Sequence, residues 1–172
     1  MRNTDTKEKI IELLFVFPTK SFHIREMARI LKISPPAVSK AVKQLEKENL
    51  LTKEKEIMHK IKANLSNENF KNMKRVYNLK SIYSSGLYFY LKETFPLNTI
   101  ILFGSYSKGE DTERSDIDIV IDGKERKIQT EDFEKVLNRR INLEFVNFNA
   151  LTKELRNSII NGIVLQGYIS LK

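Results

Sequence analysis

The stretch from Thr99 to Ile121 constrains this chain more than any other. Thr99-Ile100-Ile101-Leu102-Phe103 is a short apolar, β-branched run, and it predicts a buried strand. It passes directly into Gly104-Ser105. Ser115-Asp116-Ile117-Asp118-Ile119-Val120-Ile121 predicts a second strand. Alternation puts Ile117, Ile119 and Ile121 on one face and Asp116, Asp118 and Val120 on the other. The fold must therefore bury an isoleucine face and leave two carboxylates together, about 7 Å apart along the strand. Ile141–Val146 predicts a third strand, with a helix over Glu131–Asn138 before it. There Asn142, Glu144 and Val146 share a face opposite the more apolar Ile141, Leu143 and Phe145, so Glu144 is expected on the Asp116/Asp118 side.

These residue types together point to chemistry. Two adjacent acids repel each other and raise a pKa unless a cation lies between them. Carboxylate oxygens suit Mg²⁺, and Glu144 supplies a third. A strand that ends in Gly-Ser and opens a helix presents backbone N–H groups to an anion. Gly104 lets a phosphate approach closely, and Ser105 adds a hydroxyl. Each element alone fits an exposed strand edge or an ordinary turn; in this order they describe a nucleotidyl-transfer site. Loss of catalysis with retention of the fold stays open as an alternative.

The N-terminal third reads differently. Ile10, Ile11, Leu13, Leu14 and Phe17 are spaced as on a helix over Asp5–Phe17, stopped by Pro18. A short helix follows over Ile24–Leu31, with Met27, Ala28 and Leu31 inward. Ser34 suits an N-cap and Pro35 the first helical position of a third helix running to about Glu48. Val38, Val42 and Leu45 form its apolar stripe; Ser39, Lys40, Lys43 and Lys47 lie opposite. Asn49 suits the left-handed residue that ends it. Two strands, Leu50–Lys53 and Ile57–Lys62, predict a basic hairpin around Glu54-Lys55-Glu56, with Lys60 and Lys62 on its polar face.

Helix-turn-helix followed by a basic hairpin predicts DNA binding. The third helix would enter the major groove with Pro36, Ala37, Ser39, Lys40 and Lys43, while Lys60 and Lys62 meet phosphate. Gln44 could reach an adenine. A winged helix that serves protein contacts is the alternative. Charge agrees with DNA: residues 1–97 hold 19 of the 30 Lys and Arg against 10 of the 22 Asp and Glu. The remaining residues are nearly neutral.

Between the two halves, residues 67–95 carry Phe70, Met73, Val76, Tyr77, Ile82, Tyr83, Leu87, Phe89, Tyr90 and Leu91 at helical spacing, broken at Ser84-Ser85-Gly86 and ended by Pro96. This stripe is expected to be core or a homodimer face. The organisation expected is α+β in two domains: a winged helix over 1–66, a helical linker over 67–78 and an α/β domain with a small mixed sheet over 79–172. With no Cys, thiolate metal sites and Cys nucleophiles are excluded. His23 and His59 are isolated and read as ordinary positions. No signal peptide or apolar run of membrane-spanning length is visible, so a soluble, cytoplasmic protein is expected.

Two resemblances extend this reading. The run from Ile33 to Lys53 resembles winged helix-turn-helix domains of the MarR-like and ArsR-like regulators, over roughly residues 5–65. Leu102-Phe103-Gly104-Ser105, Gly109 and Ser115-Asp116-Ile117-Asp118 together resemble the nucleotidyltransferase superfamily of DNA polymerase β, most closely its minimal members, over about residues 79–172. Glu144 stands where those members usually place Asp, and Lys108 where they usually have Arg. The resemblance implies two Mg²⁺ ions held by Asp116, Asp118 and Glu144, with Glu144 on the ion that activates the attacking hydroxyl. It implies a nucleoside triphosphate, ATP first, bound by Gly104, Ser105, Lys108 and Ser115. Only a short segment follows the third strand, so the acceptor is expected on a partner or a second subunit. Minimal enzymes of this type often pair with a helical HEPN protein, which some AMPylate.

Overall fold

The computed structural model describes residues 5–54, 60–148 and 151–169. The chain divides into two compact units, residues 1–73 and 74–172.

In the first unit, α1 (Thr6–Val16), α2 (Ile24–Leu31) and α3 (Pro35–Lys47) precede a hairpin of β1 (Leu51–Glu54) and β2 (Lys60–Ala63). Asp5 caps α1 by accepting from the Lys7 amide. Lys32, left-handed at φ 54°, ends α2, and Ser34 stands at the N-cap of α3. The cap is Ser34's extended backbone with prolines at the first two helical positions; its hydroxyl makes no capping bond. Asn49 is left-handed at φ 59°, as expected. Ile10, Leu14, Phe22, Met27, Val38, Val42, Leu45 and Ile61 close the core. Phe22 pairs with Ile61, adding a bridge to the hairpin. In β2, Ile61 and Ala63 are buried and Lys60 and Lys62 half-exposed, so the expected alternation holds. Ile57, Met58 and His59 lie outside the described residues.

Residues 68–78 of the expected linker lie in α4 (Glu68–Ser84), a continuous helix. Gly86, at φ 85°, starts α5 (Leu87–Thr94). The second unit then runs β3 (Ile100–Phe103), α6 (Gly104–Lys108), β4 (Ile117–Asp122), α7 (Glu131–Leu137), β5 (Ile141–Val146), α8 (Lys153–Ile160) and β6 (Ile163–Gln166). The sheet order is β5-β4-β3-β6. The β4–β5 pair is parallel, and the two other pairs are antiparallel. α7 supplies the crossover that a parallel pair requires. One face is apolar: Ile100, Leu102, Ile117, Ile119 and Ile121 pack with Ile82, Leu87 and Leu91. On the other, Ile101, Phe103 and Val120 pack with Ile159 of α8, with Val146, Phe148 and Leu151 against them, while Asp118, Asn142 and Glu144 supply the polar part of that face. The strand β6 was not anticipated. It ties down the loop after α5, because the Gln166 amide donates to the Phe95 and Asn98 carbonyls at 2.8 and 2.9 Å. Among the described residues, no helix is long and apolar enough to cross a membrane.

Candidate functional site

The polar face of the sheet is built by register. Phe103, the last residue of β3, lies opposite Asp118, and Asp118 lies opposite Asn142 on β5. Val120 faces Glu144. Asp118, Asn142 and Glu144 therefore share one face, next to the point where β3 turns into α6. Asp118 and Glu144 are half-buried and Asn142 is exposed. The Asn142 side-chain nitrogen donates to Asp118 Oδ1 at 3.1 Å and to Glu144 Oε1 at 3.4 Å. One amide thus holds both carboxylates, a bridge that sequence reading missed. The signal for it was only its place between them on the same face.

Gly104 is required here for two reasons. Its φ is +71°, where a side chain is strained. A Cβ on it would also stand 2.4 Å from Asp118 Oδ2. The turn backbone thus rests against the carboxylate, with Asp118 Oδ1 held by Asn142 and Oδ2 turned toward the turn. The buried Ser107 hydroxyl donates to the Gly104 carbonyl at 2.8 Å and locks the turn. Ser105 is half-buried and Lys108 exposed.

Asp116 falls short of β4, which begins at Ile117, and it is exposed. The second strand was expected from Ser115. Instead, the Ser115 hydroxyl accepts from the Thr112 amide at 2.9 Å and braces the turn. Asp116 lines a cleft of about 670 Å³ with Arg114, Ser115, Glu134, Arg139 and Arg140 among others. Among the described residues, no three His, Cys, Asp or Glu side chains gather closely enough to hold a metal ion.

Behind the Gly109–Ser115 loop lies a buried polar group that the sequence did not reveal. Lys74 of α4 is fully buried, and Asp111 is 2% exposed. Lys74 Nζ donates to the Asp111 carbonyl at 2.7 Å and to its carboxylate. The Asn78 amide donates to the same carboxylate at 2.7 Å and to the Tyr106 carbonyl at 2.9 Å. Arg139 approaches the other oxygen, Asp111 Oδ2, at 3.8 Å. Burial pulls the Lys74 ammonium below its ordinary pKa, against the opposing pull of Asp111. Burial, with the Asp111 charge beside it, pushes the Tyr106 hydroxyl well above the usual tyrosine range.

In the first unit, Pro36, Lys40 and Lys43 are exposed on α3, and Ser39 and Ala37 are half-buried. Lys62 is ion-paired with Glu54 across the hairpin at 2.8 Å. His23 caps α2 together with Glu26.

Residues 86–167 match the family described as Polymerase beta, Nucleotidyltransferase, and residues 4–56 match the MarR family. Two Methanocaldococcus jannaschii proteins, whose names propose protein adenylyltransferase activity, are 53% and 56% identical to this chain over 32 residues. Each match covers 19% of this chain and about a third of the relative, 32% and 33%. No solved structure matches. The chain thus joins a winged-helix segment similar to the MarR family, residues 4–56, to a segment similar to the polymerase β nucleotidyltransferases, residues 86–167.

Proposed function

We propose that the chain is a DNA-binding nucleotidyltransferase that moves a nucleoside monophosphate, AMP in the first instance, from a triphosphate to a protein hydroxyl. The observation that carries this reading is the placement of Asp118 and Glu144 on one sheet face, with Asp118 Oδ2 against the Gly104 turn. The donor set is carboxylate oxygen, which fits Mg²⁺. Asp118 and Glu144 would hold it; Asp116, which precedes β4, does not gather with them in this structure. When bound, it supplies charge neutralisation of the triphosphate and a more acidic acceptor hydroxyl.

The chain's own groups do the rest. Gly104, lacking a Cβ, lets the triphosphate lie close to the turn, and Ser105 and Lys108 bind its outer phosphates. Glu144 orients the acceptor hydroxyl. That oxygen bonds to the α-phosphorus and gives up its proton to solvent, while the bond from the α-phosphorus to the α–β bridging oxygen breaks and pyrophosphate leaves carrying the electron pair. Placement and electrostatics contribute most of the rate. The protein acceptor follows the relatives' names, and it comes from a partner such as a helical HEPN-like protein or from a second copy. Lys40, Lys43 and the hairpin lysines bind DNA phosphate in the cytoplasm.

A second reading is a regulator whose transferase domain only senses nucleotide. The exposed position of Asp116, outside β4, favours it. Incubation with Mg²⁺ and either α- or γ-³²P-ATP, with the chain itself and candidate partners as acceptors, separates the two. Transfer of α-label with release of pyrophosphate supports the enzyme. Tight ATP binding without transfer to any acceptor supports the sensor, and transfer of γ-label contradicts the proposed reaction.

A further inference from the structure

We infer that Asn142 is a positioning residue that sets the Asp118–Glu144 pair for a divalent cation; this rests on the reading above. Two carboxylates on neighbouring strands repel each other, and without a bridge their side chains swing apart toward water. The Asn142 nitrogen carries two hydrogens, one for Asp118 Oδ1 and one for Glu144 Oε1. The opposite amide orientation would aim an oxygen at both anions, so the pattern fixes which end faces them. Each carboxylate gives one oxygen to the amide and keeps the other. For Asp118 the oxygen left over is Oδ2, the atom turned toward the Gly104 backbone. The amide therefore does not compete at that oxygen; it selects the side-chain rotation that presents Oδ2 to the turn.

Groups that hydrogen-bond metal ligands typically contribute about 10- to 100-fold to metal affinity. Asn142 is exposed, so the low end is expected. Being neutral, it lends order without cancelling the charge that attracts the cation.

The test is calorimetric titration of the full chain with Mn²⁺ and with Mg²⁺, alongside melting temperatures without added cation. Asn142→Ala and Asn142→Leu should each weaken Mn²⁺ binding by about tenfold. Asn142→Gln, with the amide on a longer arm, should recover part of the loss. Asp118→Asn should remove the binding. A purely structural Asn142 would instead lower the melting temperature and leave the affinity within twofold of wild type, and that result overturns the inference while the site assignment stands. Cation binding that Asp118→Asn leaves unchanged would overturn the site assignment and this inference together. Should Asn142→Ala fail to fold, Asn142→Leu and Asn142→Gln carry the comparison.

Discussion

The two units seat their polar groups in opposite ways. On α3, Lys40 and Lys43 stand outside a core closed by Val38, Val42 and Leu45, and they make few demands on their neighbours. In the sheet unit, Asp118 is wedged between the Gly104 backbone and the Asn142 amide, and Lys74 and Asp111 are sealed beneath the loop that leads to Asp116. A surface charge can attract a polyanion from an ordinary helix. A carboxylate site that handles a triphosphate needs backbone, strand register and buried partners to agree. Substitutions in the first unit should thus act on binding alone, and those in the second on chemistry and folding.

The largest effect is expected at Asp118. Asp118→Asn keeps Oδ1 for Asn142 and should leave the melting temperature nearly unchanged. Transfer, followed with α-labelled ATP, should fall by at least about a thousandfold, or about 4 kcal/mol of barrier. Gly104→Ala should combine that loss with a folding defect, since a Cβ meets both strain and Asp118. If it proves as active as wild type, the close approach of the turn has no role.

Lys74→Met should come next. It leaves Asp111 buried and without its principal cation, at a cost of about 3–5 kcal/mol in urea unfolding. Adding Asp111→Leu should restore at least half of that stability. A single variant that loses less than about 1 kcal/mol would show that the buried pair is not what secures the loop.

These differences also decide how much the sequence could reveal. The helices of the first unit follow from a local 3.6-residue period, and α2 begins and ends where that period and Lys32-Ile33-Ser34-Pro35 put it. The Asp118 and Glu144 faces were legible too, because alternation along β4 and β5 needs no knowledge of their pairing. What pairing adds was not legible. Asn142 becomes a bridge only once β5 lies beside β4 in this register. Lys74 sits among Lys71 and Arg75 and reads as solvated; its partner is 37 positions away. β6 lacks strong alternation, and its place beside β3 is a tertiary fact. Asp116 shows the converse error: alternation extended the strand two residues too far, where the Thr112–Ser115 turn takes over.

A smaller effect is expected on DNA. Replacing Lys40 and Lys43 with Ala should flatten the dependence of log affinity on log salt by roughly two units, at about 0.9 per phosphate. Lys62→Ala should change it less, because Glu54 already pairs with Lys62. A gel-shift series from low to high salt checks this, and equal contributions from all three would contradict the contrast drawn within the first unit.

The smallest effect concerns alkaline pH. The Tyr106 hydroxyl titrates higher folded than unfolded, so its contribution is complete below about pH 10 and is lost as pH rises further. The slope can reach no more than about 1.4 kcal/mol per pH unit, the value for one proton. Tyr106→Phe should remove that component from urea-unfolding profiles between pH 9 and pH 11.

The most direct test of the central claim is a crystal of the full chain grown with Mn²⁺ and a non-hydrolysable ATP analogue, with data collected for manganese anomalous scattering. An anomalous peak in contact with Asp118 and Glu144 is expected, with a triphosphate against Gly104 and Ser105. Manganese absent from that face, or a triphosphate bound elsewhere on the domain, would contradict that claim.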